Sequence, residues 1–115
     1  TNIMKGTNLG EFEELVLLTV GILFDDAYGL AITDELARQT GRKSTISSVH
    51  KALVRLETKG YLGSDMGGAT EQRGGRPKRL YQLTQSGIKV LHQTRETRNT
   101  MWGRVPKIVW EGGSL

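Results

Sequence analysis

The chain has 115 residues, of which 37% are hydrophobic and 24% charged, and this size and composition indicate one globular domain. Its longest strongly apolar stretch, residues 15–24, is about half as long as a bilayer span requires, which excludes a transmembrane protein. No basic segment precedes an apolar one as in a signal peptide, so we expect a cytoplasmic protein. With no cysteine and only two histidines, no metal site or cofactor is expected.

The charge is distributed unevenly along the chain. Residues 1–37 carry one lysine and seven acidic residues, a net charge of −6, whereas residues 38–79 carry ten basic and three acidic residues, a net charge of +7. Residues 80–115 add +3, which gives the total of +4. A basic excess of this kind is typical of a surface that binds a polyanion, although a solvated basic face would explain it equally well.

The first helix is predicted over residues 10–24, after a flexible segment at residues 1–8. Apolar residues recur there at helical spacing, and the other side of the helix is also apolar. The residues at this helical spacing are Phe12, Leu15, Val16, Thr19, Val20 and Leu23. Because a helix that is apolar all round is buried on more than one side, we expect a second subunit to cover it.

A second helix is predicted over residues 29–40, ended by Gly41, and a third over residues 44–59, with Ser44 as N-cap and Gly60 as the following residue. The third helix has a core stripe of Ile46, Val49, Leu53 and Leu56. Its opposite face is predicted to carry small, hydroxylated or basic residues, namely Thr45, Ser48, Lys51, Ala52, Arg55 and Lys59. Such residues suit the major groove and DNA phosphates, although an ordinary solvated face is the alternative.

Two short strands are predicted over residues 61–66 and 79–83, on either side of a glycine-rich basic loop. The loop lacks the Gly-x-x-x-x-Gly-Lys-Ser/Thr motif, so a nucleotide site is not expected. Its triplet Gly75-Arg76-Pro77 resembles the core of an AT-hook, whose arginine enters the minor groove, and a mobile surface hairpin is the alternative. Thr84 is then predicted to cap a short fourth helix that is polar in its middle and ends near Met101.

The order of elements is therefore helix, helix, helix, hairpin, helix, a mainly α class that predicts a winged helix-turn-helix domain over residues 9–84. The third helix would enter the major groove, and the hairpin would form the wing. Because both elements are basic and are expected on one surface, the predicted partner is double-stranded DNA.

The chain resembles the PadR family of bacterial transcriptional regulators over about residues 9–91. The resemblance rests on Ala27-Tyr28-Gly29-Leu30, on Lys59-Gly60-Tyr61-Leu62, and most specifically on Gly75-Arg76-Pro77-Lys78-Arg79-Leu80-Tyr81-Gln82-Leu83-Thr84 with Gly87. MarR-type winged helices have a similar wing.

This resemblance implies a homodimeric repressor that is associated with the bacterial nucleoid. The first and last helices would form the dimer contact, with residues 85–115 as the dimerisation element. Two third helices would contact a pseudo-palindromic operator about one helical turn apart. A small aromatic or drug-like effector would bind near the dimer interface. The expected dimer or effector residues are Phe12, Leu15, Leu18, Met101 and Trp102. Trp102 and Trp110 pack across the dimer or line the effector pocket, and we favour packing.

DNA contacts are expected from the third helix, the turn before it and the wing. The candidate residues are Lys43, Ser44, Thr45, Ser47, Ser48, His50, Lys51, Arg55, Arg73, Arg76 and Lys78. His50 stands where the family usually has a phosphate-contacting tyrosine, so its contact is expected to be weaker, water-mediated or pH-sensitive.

Two other classes of function were weighed against DNA binding. A winged helix that binds only a protein partner would have little DNA affinity at physiological salt. An enzyme is the least favoured class, because the sequence shows no Ser/His/acid set, no paired carboxylates in a cleft and no metal cluster.

Overall fold

The computed structural model describes residues 9–67 and 78–112. It contains five α-helices and one hairpin within those ranges, and a single 3₁₀ turn, Phe24–Asp26, follows the first helix. The elements in chain order are α1 (Glu11–Leu23), α2 (Gly29–Thr40), α3 (Ile46–Thr58), β1 (Leu62–Asp65), β2 (Leu80–Leu83), α4 (Gln85–Arg104) and α5 (Lys107–Trp110). This order confirms the predicted winged helix, with α5 as an additional short element.

The hydrophobic core lies between α1, α2 and α3. Val16, Leu17 and Val20 of α1 are almost completely buried, as are Ile32 of α2 and Leu53 of α3. Each helix contributes an apolar stripe to this centre, because burial of apolar side chains is the main favourable term in folding. Packing against α1 and α2 buries one side of α3 and leaves its other side exposed.

The ends of the helices follow local chemistry. Gly41 ends α2 at a φ of 72°, and Gly60 follows α3 at a φ of 83°, as the glycines predicted. The N-cap of α3, in contrast, is Thr45 and not Ser44, because the Thr45 Oγ1 accepts a hydrogen bond of 3.0 Å from the Ser48 N–H. The predicted cap was therefore wrong by one residue.

The core stripe of α3 also differs from the prediction at two positions. Ala52 is fully buried, as are Val49 and Leu56, and it does not lie on the outer face to which the pattern assigned it. Ile46 was assigned to the core but is 57% exposed. Ile46 is the first residue of α3, and it lines an open groove together with Leu30 of α2.

The hairpin pairs β1 and β2 in antiparallel register, from Leu62 opposite Leu83 to Asp65 opposite Leu80. Tyr81 is buried and donates its backbone N–H to Ala27 O, which fixes the hairpin to the turn before α2. The predicted loop residues Arg73 and Arg76, with the AT-hook-like triplet, lie outside the described residues.

The fourth helix is longer than predicted. Thr84 caps it as expected, by accepting a hydrogen bond of 3.0 Å from the Gly87 N–H, but the helix continues through Gly103. One glycine costs a helix only about 1 kcal/mol, whereas Pro106 disfavours helical backbone at the preceding residue, and α4 ends there. From residue 95 to residue 104 every residue of α4 is exposed, so this half of the helix extends away from the core.

The chain after α4 turns back on itself. The rings of Trp102 and Trp110 stack with their centroids 4.5 Å apart and their planes at 15°. Among the helices of the described ranges, none has the length and apolar character needed to cross a membrane.

Candidate nucleic-acid interface

The outer side of α3 carries exposed residues at helical spacing, and we call the first five of them the recognition face: Ile46, Ser47, His50, Lys51 and Val54. Three of the predicted DNA-contact residues, Ser47, His50 and Lys51, lie on it. The face is rotated relative to the stripe predicted from the sequence, because Ala52 belongs to the core. Val54, which is 47% exposed, and Ile46 are members of this face that the sequence analysis did not identify.

Two of the hydroxyl groups that were predicted to contact DNA, those of Thr45 and Ser48, form hydrogen bonds with each other and with the backbone at the start of α3. The Thr45 Oγ1 donates to the Ser48 Oγ at 3.1 Å, and the Ser48 Oγ donates to the Thr45 backbone carbonyl at 3.0 Å. These bonds define the start of α3. Lys43, just before this start, is exposed, and Ser44 is half-buried.

The far end of α3 is bound to α1 through an acidic residue that the sequence analysis did not single out. Glu13 Oε2 lies 2.8 Å from Arg55 Nε, and Glu13 Oε1 lies 2.8 Å from Lys59 Nζ. Glu13 Oε1 also accepts a hydrogen bond of 3.1 Å from the Gly10 N–H. Arg55, a predicted DNA contact, therefore has one of its nitrogen atoms bonded to a carboxylate within the domain.

The environment of Glu13 favours its charged form. Burial alone would raise the pKa of this carboxyl, but the hydrogen bonds from Lys59, Arg55 and Gly10 outweigh burial and lower that pKa from 4.5 to about 2. Glu13 was not recognised from the sequence because its partners are 42 and 46 residues away, and no local pattern reports such contacts.

The root of the wing is bonded to the end of α3. Arg79 Nη1 donates to the Ser64 Oγ at 2.8 Å, and the Ser64 Oγ donates to Glu57 Oε2 at 2.5 Å. The Nζ of Lys78 lies 5.6 Å from the centre of the Tyr28 ring, a cation–π distance. These contacts fix the orientation of the wing root relative to α3.

A groove of about 600 Å³, the α2–α3 groove, joins the recognition helix to the wing root. His50 of α3 and Lys78 and Arg79 of the wing root line it together. Asp34 of α2 also lines it, so its lining is mixed in charge. The structure thus brings the predicted helix and wing residues to one concave surface.

A second groove, of about 470 Å³, lies between α1 and α4 and is called the α1–α4 groove. Of the residues predicted for the dimer or effector site, Leu18 and Trp102 line it. Phe12 and Leu15 pack against the core instead, and Met101 is 64% exposed outside the groove lining. The structure therefore brings two of these five residues together.

No cluster of acidic or histidine side chains suited to a metal ion occurs in residues 9–67 and 78–112. A three-helix core, a third helix whose outer side is exposed and carries Lys51, and an adjoining hairpin together define a winged-helix DNA-binding protein. The chain belongs to the transcriptional regulator PadR-like family, which it matches over residues 17–93. It is thus a DNA-binding transcription regulator, as the resemblance implied, and not an enzyme.

Solved structures with the same fold agree with this assignment. The chain is 27% identical to a PadR family transcriptional regulator from Eggerthella lenta DSM 2243, with a TM-score of 0.65 over 83% of this chain and 80% of that chain. It is 23% identical to a transcriptional regulator from Clostridium thermocellum, with a TM-score of 0.63 over 92% and 100% of the two chains. The hsRosR-S1 complex is 21% identical, with a TM-score of 0.68 over 99% and 97%. No curated protein matches the chain.

Proposed function

We propose that this regulator is a dimeric repressor that binds a pseudo-palindromic operator and is released by a small aromatic effector. It would act in the cytoplasm, on the bacterial nucleoid. The observation that carries the proposal is the placement of His50 of α3 and Lys78 of the wing root in one groove, beside the exposed Lys51. A convex helix with a wing beside it fits the major groove and the adjacent backbone.

The proposed contacts differ in kind along the recognition face. Lys51 and Lys43 supply cations for phosphates, and Ser47 and His50 lie on the part of α3 that would enter the groove. Val54 adds an apolar surface that suits a thymine methyl group. Arg73 and Arg76 remain sequence-based candidates for the wing tip.

The dimer proposal rests on the exposed apolar surface of α1 and α4. Leu18 and Ile22 of α1 are 43% and 54% exposed, and Trp102 of α4 is 63% exposed. Apolar side chains that cluster on a protruding helix mark an interaction surface. We propose that residues 85–115 form the dimerisation element, and that the stacked Trp102 and Trp110 present one apolar surface to the partner.

The effector proposal rests on the α1–α4 groove. Its volume lies in the range of small-molecule sites, and Leu18, Leu91 and Trp102 supply apolar walls. Arg95 also lines it, so an aromatic compound with an anionic group would find both kinds of partner there, whereas Arg98 of the same lining is paired with Glu14. Occupation of this groove would change the packing of α4 on α1, and with it the spacing of the two recognition helices.

Fluorescence anisotropy with the gene's own upstream DNA and with a scrambled duplex, across a salt series, tests the DNA-binding proposal. We expect Lys51→Ala to weaken binding. The slope of the logarithm of the binding constant against the logarithm of the salt concentration should become shallower by about 0.9, the contribution of one phosphate contact. Lys89→Ala is the matched control, because Lys89 is an exposed lysine on α4. Arg76→Ala is expected to act as Lys51→Ala does.

The outcomes separate the alternatives. Strong preference for the upstream duplex, with the predicted loss in Lys51→Ala and Arg76→Ala but not in Lys89→Ala, supports a sequence-specific repressor at its own operator. Wild-type affinity and slope in both Lys51→Ala and Arg76→Ala would show that the recognition face is wrongly assigned. Weak and equal binding to both duplexes would favour a winged helix that binds a protein partner.

A further inference from the structure

The first turn of α1 contains a buried carboxylate that faces α3. The Glu13 side chain is 8% exposed, and each of its oxygens lies 2.8 Å from a cationic nitrogen, of Arg55 or of Lys59. Arg55 and Lys59 are four residues apart and therefore share one side of α3. One anion of α1 thus contacts two successive cations of the recognition helix.

Glu13 remains charged at every pH at which DNA binding is measured. Its bonds to the two cations outweigh burial and lower its pKa to about 2. A buried anion also compensates the charges that it contacts more fully than an exposed one, since solvent screens it less. The side chains of Arg55 and Lys59 are themselves 52% and 35% exposed, so exposure does not separate them from Lys43 and Lys51. The difference is that neither Lys43 nor Lys51 forms an ion pair within the part of the chain that the structure describes.

We propose that Glu13 is a positioning residue that holds Arg55 and Lys59 against α1 and withholds their charge from DNA phosphates. This inference rests on the proposed recognition face and divides α3 into a part that is free to bind DNA and a part that is held. Phosphate contacts contribute affinity for every sequence alike. Glu13 therefore limits the sequence-independent share of the binding energy and confines the contacts of α3 to its N-terminal part.

Salt-dependent binding of the full chain to a random-sequence duplex tests this role. Glu13→Gln keeps the size of the side chain and removes its charge, which releases Arg55 and Lys59. We expect higher affinity at low salt and a log–log slope that steepens by about 0.9 for each phosphate reached, or about 1.8 for two. Over a fourfold change in salt, a steepening of about 1.8 changes the ratio of variant to wild-type affinity about twelvefold.

Glu14→Gln is the matched control on the next residue of α1. Glu14 Oε1 accepts a hydrogen bond of 2.9 Å from Arg98 Nη2, so this variant makes the same change in net charge but releases a cation of α4. Its slope should remain that of the wild type. Equal steepening in both variants would show a general effect of net charge, and no steepening in Glu13→Gln would show that neither cation reaches phosphate. Either result overturns the proposal.

Further variants separate positioning from stability. Loss of a purely structural contact would lower the unfolding midpoint and leave the salt slope unchanged, whereas adding Arg55→Gln to Glu13→Gln should remove about half of the steepening. If Glu13→Gln does not fold, Arg55→Gln alone decides the question. An unchanged slope agrees with a held arginine, and a slope flattened by about 0.9 refutes it.

The proposed recognition face can fail independently of this inference. If Lys51→Ala leaves the slope unchanged, the recognition face itself is wrong, and the inference falls with it. If Lys51→Ala flattens the slope while Glu13→Gln leaves it unchanged, the face is correct and the role of Glu13 is wrong.

Discussion

Replacing Gly87 with alanine is expected to force α4 away from the hairpin. A Cβ at position 87 would lie 2.2 Å from the Tyr61 carbonyl oxygen and 3.1 Å from its carbonyl carbon. Carbon atoms do not approach backbone oxygen closer than about 3 Å, so the two segments must separate by about 0.8 Å or more. Because the obstacle is backbone, no change of side-chain rotamer relieves it.

The separation would also damage the hydrogen bonds at this junction. The same Tyr61 oxygen accepts a bond of 3.2 Å from the Thr84 N–H, and the Thr84 Oγ1 donates to Gly60 O at 2.6 Å. Overpacking costs typically 1–3 kcal/mol, and with these bonds weakened we expect the free energy of unfolding to fall by about 3 kcal/mol. For a domain of this size the unfolding midpoint should fall by about 10 °C.

Thermal and guanidinium unfolding followed by circular dichroism measure this change. Gly103→Ala is the matched control on the same helix, since a Cβ at position 103 meets nothing within 4 Å. Alanine favours helix over glycine, so Gly103→Ala should raise the free energy of unfolding by about 0.5–1 kcal/mol. Equal stability of Gly87→Ala and the wild type would refute the close approach of α4 to Tyr61.

Three further predictions concern the cap of α3, the buried carboxylate and the dimer. Thr45→Ala should lower the free energy of unfolding by about 1 kcal/mol and Ser44→Ala by less than about 0.5, as measured by denaturant unfolding; equal losses would contradict the assigned cap. The lowered pKa of Glu13 stabilises the fold fully above pH 4.5, by about 3 kcal/mol, and about 2 kcal/mol of this should be lost by about pH 3. Unfolding across this pH range should therefore depend less on pH in Glu13→Gln than in the wild type, and parallel curves would refute the assignment. Trp102→Ala should weaken the proposed dimer about thirtyfold in sedimentation equilibrium, while Gln93→Ala on the same helix should not; unchanged association in both would exclude this face.

Several features of the fold were predictable because they depend on neighbouring residues only. Gly41 and Gly60 adopt the positive φ values that end a helix, and Thr84 caps α4 with the N–H of a residue three positions away. Such chemistry is local, so its pattern is present in the sequence itself. The strand pattern on either side of the glycine-rich loop predicted the wing, and the block that runs from Gly75 to Thr84 linked it to the family.

The errors occurred where local rules compete or give no preference. A small residue such as Ala52 fits a core stripe and a solvated face equally well, and only its complete burial in the folded domain placed it in the core. The thin apolar content of α4 indicated a short helix, although a helix that extends from the core needs no continuous apolar stripe within its own chain. A partner surface is the proposed reason for its exposed apolar residues.

The sequence by itself determined the winged-helix class, the order of its elements and the basic character of residues 38–79, because periodicity, caps and charge are properties of short stretches. Only the tertiary structure decided which of the exposed basic residues pair with a carboxylate of the same domain. Lys51 forms no ion pair with a described residue, whereas Arg55 and Lys59 contact Glu13, which is more than 40 residues away along the chain. The physical reason is that an ion pair depends on the distance between side chains in space, and the packing of α1 against α3 sets that distance.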